Sequence, residues 1–184
     1  DGGNNYYDLA VGDFDEDGMI DFVTMYGYYY PNYNNFWHNN GDGTFTMNSN
    51  AKASGSTWYN YANCVGDFHD DGHLDIVIAY SYYLHFFPGN GDGTFGTHTQ
   101  VVSFPSYSIY FVAEGDFNED GDLDLVFANY YNGMMYRAYG DGDGTFGTPA
   151  YTGTDLAPLT YDYARGDTYD FNDDGHMDVV AYSD

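Results

Sequence analysis

A pattern in which an aspartate-rich segment with one central glycine leads into an apolar run recurs four times along the chain. Its copies read GDFDEDGMIDFVTMY from Gly12, GDFHDDGHLDIVIAY from Gly66, GDFNEDGDLDLVFAN from Gly115 and YDFNDDGHMDVVAYS from Tyr169. A second pattern, Gly-Asp-Gly-Thr-Phe, alternates with the first and ends at Phe45, Phe95 and Phe146. Two motifs that alternate at a spacing of about 50 residues indicate repeats of one structural unit.

Each complete unit is predicted to form four short strands. The first strands are expected at Asp8–Val11, Asn63–Val65 and Phe111–Ala113. The second strands are expected at Phe22–Tyr26, Ile76–Tyr80, Leu125–Asn129 and Val179–Ser183. The third strands are expected at Asn35–His38, Tyr83–Phe87 and Met134–Tyr139, and the fourth strands begin at each Thr-Phe pair. The second strands are apolar at odd and even positions alike, which is typical of a strand covered on both faces.

Four antiparallel strands in about 50 residues are typical of a β-propeller blade. Three complete units are followed by Ala164–Asp184, which supplies only the first two strands of a fourth unit. We therefore predict an all-β fold, with about three and a half propeller-type blades in a single domain over residues 1–184. Either further strands or another chain would complete the fourth blade.

The turn between the first and second strands follows the pattern D-x-[DNH]-x-D-G-x-x-D. Side chains at positions 1, 3, 5 and 9, with the carbonyl of position 7, can surround a hard cation such as calcium. Glycine at position 6 permits the sharp turn that this requires. The predicted ligands are Asp13, Asp15, Asp17, Met19 and Asp21; Asp67, His69, Asp71, His73 and Asp75; Asp116, Asn118, Asp120, Asp122 and Asp124; and Asp170, Asn172, Asp174, His176 and Asp178. Because imidazole is a poor calcium ligand, His69 predicts a weaker or remodelled second site.

Other calcium motifs fit the pattern less well. An EF-hand loop needs an acidic residue at position 12 and helices on both sides, but here position 12 lies inside a predicted strand and is Thr24, Ile78, Phe127 or Ala181. Calcium β-rolls repeat every nine residues or so, whereas this motif recurs at about 50. The aspartates could instead only shape polar turns, but four copies of the full pattern favour a metal site.

The motif GDFNEDGDLDLVFAN with GNGDGTF resembles the FG-GAP/VCBS repeats of integrin-α-like β-propellers, and the resemblance covers almost the whole chain. It implies calcium as the cofactor, bound between the first two strands of each blade. Three departures from the family pattern are His69 in the second loop, Tyr169 in place of the usual glycine, and too few blades to close a ring.

The charge of the chain indicates which partners it avoids. A formal net charge of −26 disfavours nucleic acid and anionic membrane surfaces. No apolar run is long enough to insert in a membrane.

Extracellular calcium is abundant enough for loops of moderate affinity, and a chain that starts at Asp1 without Met is typical of processing, so we expect a secreted protein.

Aromatic residues crowd the connections between the second and third strands. Some must pack between blades, but tyrosine beside Asn and Gly also suits exposed binding surfaces and sugar faces. The candidate partner-binding residues are Tyr28, Tyr29, Tyr30, Trp37, Tyr82, Tyr83, Tyr130 and Tyr131.

The sequence contains no nucleophile–base constellation, so we expect no catalytic residues and no enzyme activity. We predict adhesion or self-assembly as a homo-oligomer or filament, with extracellular proteins or glycans as other partners; the alternative is a calcium-dependent lectin.

Overall fold

The computed structural model describes residues 5–27, 33–54, 60–104, 108–129, 133–155 and 164–183. These residues form strands and loops without a helix. The strands are β1 (Asn5–Gly12), β2 (Asp21–Gly27), β3 (Tyr33–Asn39), β4 (Phe45–Ser54), β5 (Asn60–Gly66), β6 (Asp75–Tyr80), β7 (Tyr83–Phe87), β8 (Thr99–Ser103), β9 (Ile109–Gly115), β10 (Asp124–Asn129), β11 (Met134–Ala138), β12 (Ala150–Asp155), β13 (Ala164–Tyr169) and β14 (Asp178–Ser183).

The strands form antiparallel sheets whose order follows the chain. Blade 1 is β1-β2-β3-β4, blade 2 is β5-β6-β7-β8 and blade 3 is β9-β10-β11-β12. A two-stranded sheet, β13-β14, forms a half blade. The predicted all-β, propeller-type architecture is therefore confirmed, with the number of blades that the repeats indicate.

Blades pack face to face, and their cores lie between consecutive sheets. Val23 and Met25 of blade 1 belong to one apolar cluster with Ile76 and Ile78 of blade 2. A second cluster joins blades 2 and 3, and a third joins blade 3 to Val179 of the half blade. The first strands of neighbouring blades also contact each other, so all the loops that follow them lie at the same end of the array.

The burial of the second strands depends on their place in the array. Both β6 and β10 are buried along their whole length, as expected for strands covered on both faces. In β14, by contrast, Val180 and Tyr182 are exposed. The prediction of two covered faces is thus wrong for this end strand, because no described residue packs on its outer side.

The fourth strands begin where predicted only in blade 1, at Phe45. In blades 2 and 3 the equivalent phenylalanine makes an isolated bridge to a glycine, Phe95 to Gly89 and Phe146 to Gly140. Regular pairing resumes with β8 and β12, four residues later. The residue after each of these two phenylalanines is a glycine whose amide donates back to the preceding strand end, which interrupts the ladder.

Among the described residues, no helix is long and apolar enough to cross a membrane.

Candidate calcium loops

The four Asp loops connect the first and second strands and share one backbone conformation. Position 4 has a positive φ in every loop, with values of 58° at Glu16, 52° at Asp70, 63° at Glu119 and 59° at Asp173. Glycine at position 6 also has a positive φ, between 88° at Gly18 and 100° at Gly121. Two left-handed residues so close together turn the chain sharply, and glycine takes the second without steric cost.

Carboxylates at positions 1 and 5 hold this turn. Asp13 accepts the amide of Asp17 at 3.1 Å through Oδ1 and that of Gly18 at 3.0 Å through Oδ2. Asp17 in turn accepts the amide of Met19 at 2.9 Å. The same bonds recur in the other three loops. The loops are therefore preorganised by their own side chains, because each bond closes a ring of only a few residues.

The aspartate at position 9 ties the loop to the third strand. Asp75 is fully buried; its Oδ2 accepts the amide of Phe68 at 2.8 Å and its Oδ1 accepts the amide of Gly89 at 2.8 Å. Asp21 and Asp124 make the equivalent pair of bonds in blades 1 and 3. Burial raises the pKa of all three carboxyl groups, against the opposing effect of these amides.

The first loop gathers a set of oxygens that suits a divalent cation. Carboxylate oxygens of Asp13, Asp15 and Asp21 all lie within 4.8 Å of one another. Asp15 Oδ1 is buried and has no hydrogen-bond partner. A buried carboxylate oxygen without a partner is costly, and a hard cation coordinated there would remove that cost. The residues present in the first loop therefore fit calcium.

A histidine that sequence analysis did not assign to this site also borders it. His38 lies near the end of β3, and its Nδ1 is 2.7 Å from Asp15 Oδ2. Its Nε2 is 4.0 Å from Asp17 Oδ2. The corresponding position in blade 2 is Pro88, so no repeat signal could have identified His38. An imidazole beside the cage orients Asp15 and leaves its other oxygen available.

In the second loop, the histidine at position 3 contacts two of the loop carboxylates. His69 Nδ1 lies 2.7 Å from Asp75 Oδ2, and Nε2 lies 2.8 Å from Asp71 Oδ2. Burial alone would lower the pKa of His69, but the hydrogen bond to Asp75 and the charges of Asp75, Asp71 and Asp67 outweigh it, so the pKa is raised. The imidazole occupies the space between two carboxylates that are predicted ligands. The weaker or remodelled second calcium site that His69 predicts stays a prediction.

In the third loop, position 3 is an amide. Asn118 Oδ1 accepts the amide of Asp120 at 2.9 Å, and its Nδ2 donates to Asp120 Oδ2 at 2.8 Å. The fourth loop has Asn172 at the same position, and its Asp170 carboxylate accepts the expected amides. Hydrogen bonds from the loop backbone, above all that of Gly175, lower the pKa of Asp170. Ionised Asp170 and the Asn side chains supply hard oxygen donors for calcium.

Neighbouring loops contact each other through positions 4 and 7, a link that the sequence analysis missed. Glu16 of the first loop pairs with His73 of the second, and Glu119 of the third pairs with His176 of the fourth. Each hydrogen bond raises the pKa of its histidine. A signal was available, since position 4 is acidic in all four copies of the repeat.

Between the second and third loops the same link joins two acids. Asp122 is hydrogen-bonded to Asp70, and its pKa is raised by burial, by the charges of Asp120 and Asp70, and by this bond. The row of loops is therefore continuous from blade to blade.

The aspartates of the Gly-Asp-Gly-Thr-Phe turns shape those turns. Asp42 Oδ1 accepts both the amide and the hydroxyl of Thr44, at 3.0 and 2.5 Å. Asp92 and Asp143 make the same pair of bonds. The hydroxyl bond, followed by the amide bond, lowers the pKa of each of these carboxyl groups.

Three of the candidate partner-binding residues lie in the described part of the chain, and the other five lie outside it. Tyr82 is exposed in the turn between β6 and β7, and Tyr83 beside it is half-buried. Trp37 is half-buried and stacks on Phe22 with ring centroids 5.6 Å apart. The remaining candidates lie outside the described residues; they are Tyr28, Tyr29, Tyr30, Tyr130 and Tyr131.

Comparison with known proteins supports this architecture. A family model described as FG-GAP-like repeat matches residues 13–78, 67–127 and 116–181, so each match runs from one Asp loop through the next. A lectin from Agrocybe aegerita, described for specific recognition of non-reducing terminal N-acetylglucosamine, has a TM-score of 0.67 and 24% sequence identity over 93% of this chain and 45% of its own. The Dos1 propeller has a TM-score of 0.57 and 14% identity over 84% of this chain and 37% of its own.

The chain thus spans less than half the length of either solved structure. At these identities the similarity shows the fold alone. No curated protein matches the chain.

Proposed function

This chain belongs to the FG-GAP-like repeat family, and from that premise we propose that it is an extracellular, non-enzymatic binding module whose Asp loops hold calcium. The observation that carries the calcium proposal is the first loop, where three carboxylates converge and the buried Oδ1 of Asp15 has no hydrogen-bond partner. Hard oxygen donors of this kind select calcium or magnesium over softer metals.

In this proposal the side chains of Asp13, Asp15, Asp17 and Asp21, with the carbonyl of Met19, hold the ion. Calcium would supply positive charge at the end of the array where acidic side chains are densest. Asp21 at position 9 would connect the bound ion to the blade, because its carboxylate also accepts the amide of Asn39 at the end of the third strand. Ion binding would then stabilise the fold and keep the loop end of the array rigid.

Calorimetric titration of the 184-residue chain with calcium tests the proposal. Asp15→Ala should weaken the first site, because it removes the carboxylate whose oxygen lacks a partner. Asp42→Ala is a matched control, since it makes the same chemical change in an exposed turn aspartate. The proposal fails if the chain binds no calcium at millimolar concentration, or if both variants bind calcium as the wild type does.

The binding role that we propose is adhesion or self-assembly. Large apolar side chains are exposed at both ends of the blade array, among them Leu9 and Val11 in blade 1 and Tyr169 and Tyr182 in the half blade. Extended exposed apolar surface is typical of an interaction site rather than of a soluble monomer. The strongly negative charge makes nucleic acid and anionic membranes poor partners.

Carbohydrate binding is the second candidate. Tyr82 presents an exposed ring in a tight turn, and aromatic rings of this kind suit sugar faces. The lectin with the same fold recognises N-acetylglucosamine. A glycan array on the calcium-loaded chain would show binding that Tyr82→Ala abolishes if this candidate is correct. An array without signal would leave adhesion or self-assembly as the role.

A further inference from the structure

Consecutive blades meet through a repeated interface with two distinct sides. We call the side of a blade that packs on the following blade its leading face, and the opposite side its trailing face. In blade 1 the leading face includes Phe14, Val23 and Met25, which are 3%, 0% and 0% exposed. In blade 2 the trailing face that covers them includes Leu74 and Ile76.

Specific contacts accompany this apolar packing. The amide of Gly93 in blade 2 donates to the carbonyl of Phe14 in blade 1 at 2.9 Å. The rings of Phe14 and Phe95 meet edge to face, with centroids 5.7 Å apart. Between blades 2 and 3 the same two contacts recur, with Gly144 donating to Phe68 at 3.0 Å and the rings of Phe68 and Phe146 at 5.9 Å. The interface is therefore a property of the repeat.

The half blade carries a leading face that nothing covers in the described part of the chain. By position in the repeat, Phe171, Val180 and Tyr182 correspond to Phe14, Val23 and Met25 of blade 1. They are 55%, 50% and 61% exposed. The alternate residues of β14 pack on blade 3, so the side chains of Val180 and Tyr182 point away from the array.

Blade 1 carries the complementary trailing face, equally exposed. Val11, Ile20 and Phe45 correspond to Val65, Leu74 and Phe95, which pack against blade 1 from blade 2. Phe22 and Trp37 complete the surface: the Phe22 ring stacks on Trp37 and meets the Phe45 ring at 4.8 Å. The trailing face of blade 1 thus presents a connected group of aromatic rings.

We propose that the leading face of the half blade docks on the trailing face of blade 1 in a second copy of this chain, head to tail. The proposal names the partner for the self-assembly role and rests on that part of the proposed function. Phe171 would meet Phe45 of the second copy, and the carbonyl of Phe171 would accept the amide of its Gly43. A second copy is favoured over an unrelated protein because the two faces are the halves of one interface that already occurs twice within the chain.

One position prevents an identical copy of the inner interfaces. Leu74 packs so closely over Gly12 that a Cβ at Gly12 would lie 2.6 Å from its Cδ1, and Leu123 packs in the same way on Gly66. The half blade has Tyr169 at this position. Ile20 of the second copy must therefore pack beside the Tyr169 ring. Since the contact joins two different faces, it produces either a closed ring or a filament.

The test is light scattering of the wild type and of two charge variants of the full chain in calcium. Val180→Asp disables the leading face, and Val11→Asp disables the trailing face. The wild type should associate, and each variant alone should be monomeric, because every head-to-tail contact needs one face of each kind. An equimolar mixture should form a one-to-one pair, since each variant retains the face that the other lacks. Pair formation also shows that both variants are folded.

Tyr151→Asp is the matched control, because Tyr151 is similarly exposed but lies on β12, away from both end faces; it should associate like the wild type. A monomeric wild type would overturn the proposal. So would a variant that still dimerises alone, since that requires contact between like faces, or a mixture that stays monomeric. Calcium titration of Val180→Asp distinguishes failure of the assembly proposal from failure of the calcium proposal. If this variant binds calcium as the wild type does, but the wild type does not associate, then the assembly proposal fails and the calcium proposal stands.

Discussion

The first and second Asp loops have the same backbone but pair their carboxylates in opposite ways. In the first loop, Asp15 at position 3 leaves a buried oxygen without a partner. In the second, His69 at position 3 bridges Asp71 and Asp75. The shared turn comes from glycine and from the aspartate at position 1, which are present in both loops. Under the calcium proposal, position 3 decides whether an ion or an imidazole balances the charge of the loop carboxylates.

The largest expected effect is that of calcium removal. A ligand at a hundredfold its dissociation constant adds about 2.7 kcal/mol per site, so a chelator should lower the unfolding temperature sharply. Hydrogen exchange should locate the loss: amides of the first loop, such as those of Asp17 and Gly18, should lose more protection than those of Asp71 and Gly72. Equal losses in both loops would mean that His69 does not substitute for an ion. Magnesium should restore little of the stability.

The next effect concerns exchange of the two side chains at position 3. His69→Asp should tighten calcium binding at the second loop, and Asp15→His should weaken it at the first. Each change is expected to be about tenfold or more, equivalent to ~1.4 kcal/mol. Calorimetric titration of both variants measures it. If neither variant alters the affinities, then position 3 is not a ligand in either loop.

A smaller effect is expected from pH in the metal-free protein. The pKa of His69 is raised in the folded chain, so its stabilisation is fully present below the unfolded pKa of about 6.5. That contribution is lost as the pH rises through the higher folded pKa. As the pH rises from about 6.5, the wild type should therefore lose more stability than His69→Gln. Thermal unfolding of both proteins after dialysis against metal-free buffer provides the measurement, and parallel pH profiles would contradict the role of His69.

The smallest effect is expected at the link between the two loops. Glu16→Gln removes the partner that raises the pKa of His73, so this pKa should fall toward its ordinary value. The unfolding temperature should change little, because the pair lies at the surface, where Glu16 is exposed and His73 is half-buried. NMR titration of the histidines measures the shift, and Glu119→Gln should act in the same way on His176. A His73 pKa that does not move would show that the contact does not form in solution.

Much of the fold could be predicted from the repeat. The second strands begin one residue earlier than the apolar runs suggested, at Asp21, Asp75, Asp124 and Asp178. The aspartate at position 9 already belongs to the ladder: Asp75 pairs with Gly66, although its side chain serves the loop. The start of the fourth strand was predicted correctly only in blade 1, because the interruption of the ladder after Phe95 and Phe146 depends on how the backbone returns to the preceding strand.

The contacts of the candidate site were predicted where the bonded residues are close in sequence, and they were missed where those residues are far apart in sequence. The aspartates at positions 1 and 5 bond to amides four, five or two residues away, and the pattern of the loop contains all of these partners. His38 and Asp15 are 23 residues apart, and His73 and Glu16 are 57 residues apart. Nothing in the local pattern specifies such pairs, because they depend on strand pairing and blade stacking.

The sequence alone thus determined the conformation of the loops, since glycine at position 6 and the neighbouring carboxylates act on their own segment of chain. It also determined the number of blades, since each repeat carries the strands of one sheet. The tertiary structure decided which chemically equivalent residues are covered. Val23 and Val180 occupy the same position in the repeat, yet one is fully buried and the other half exposed. Burial depends on whether a neighbouring blade supplies a complementary face, which is a relation between units and not a property of any one of them.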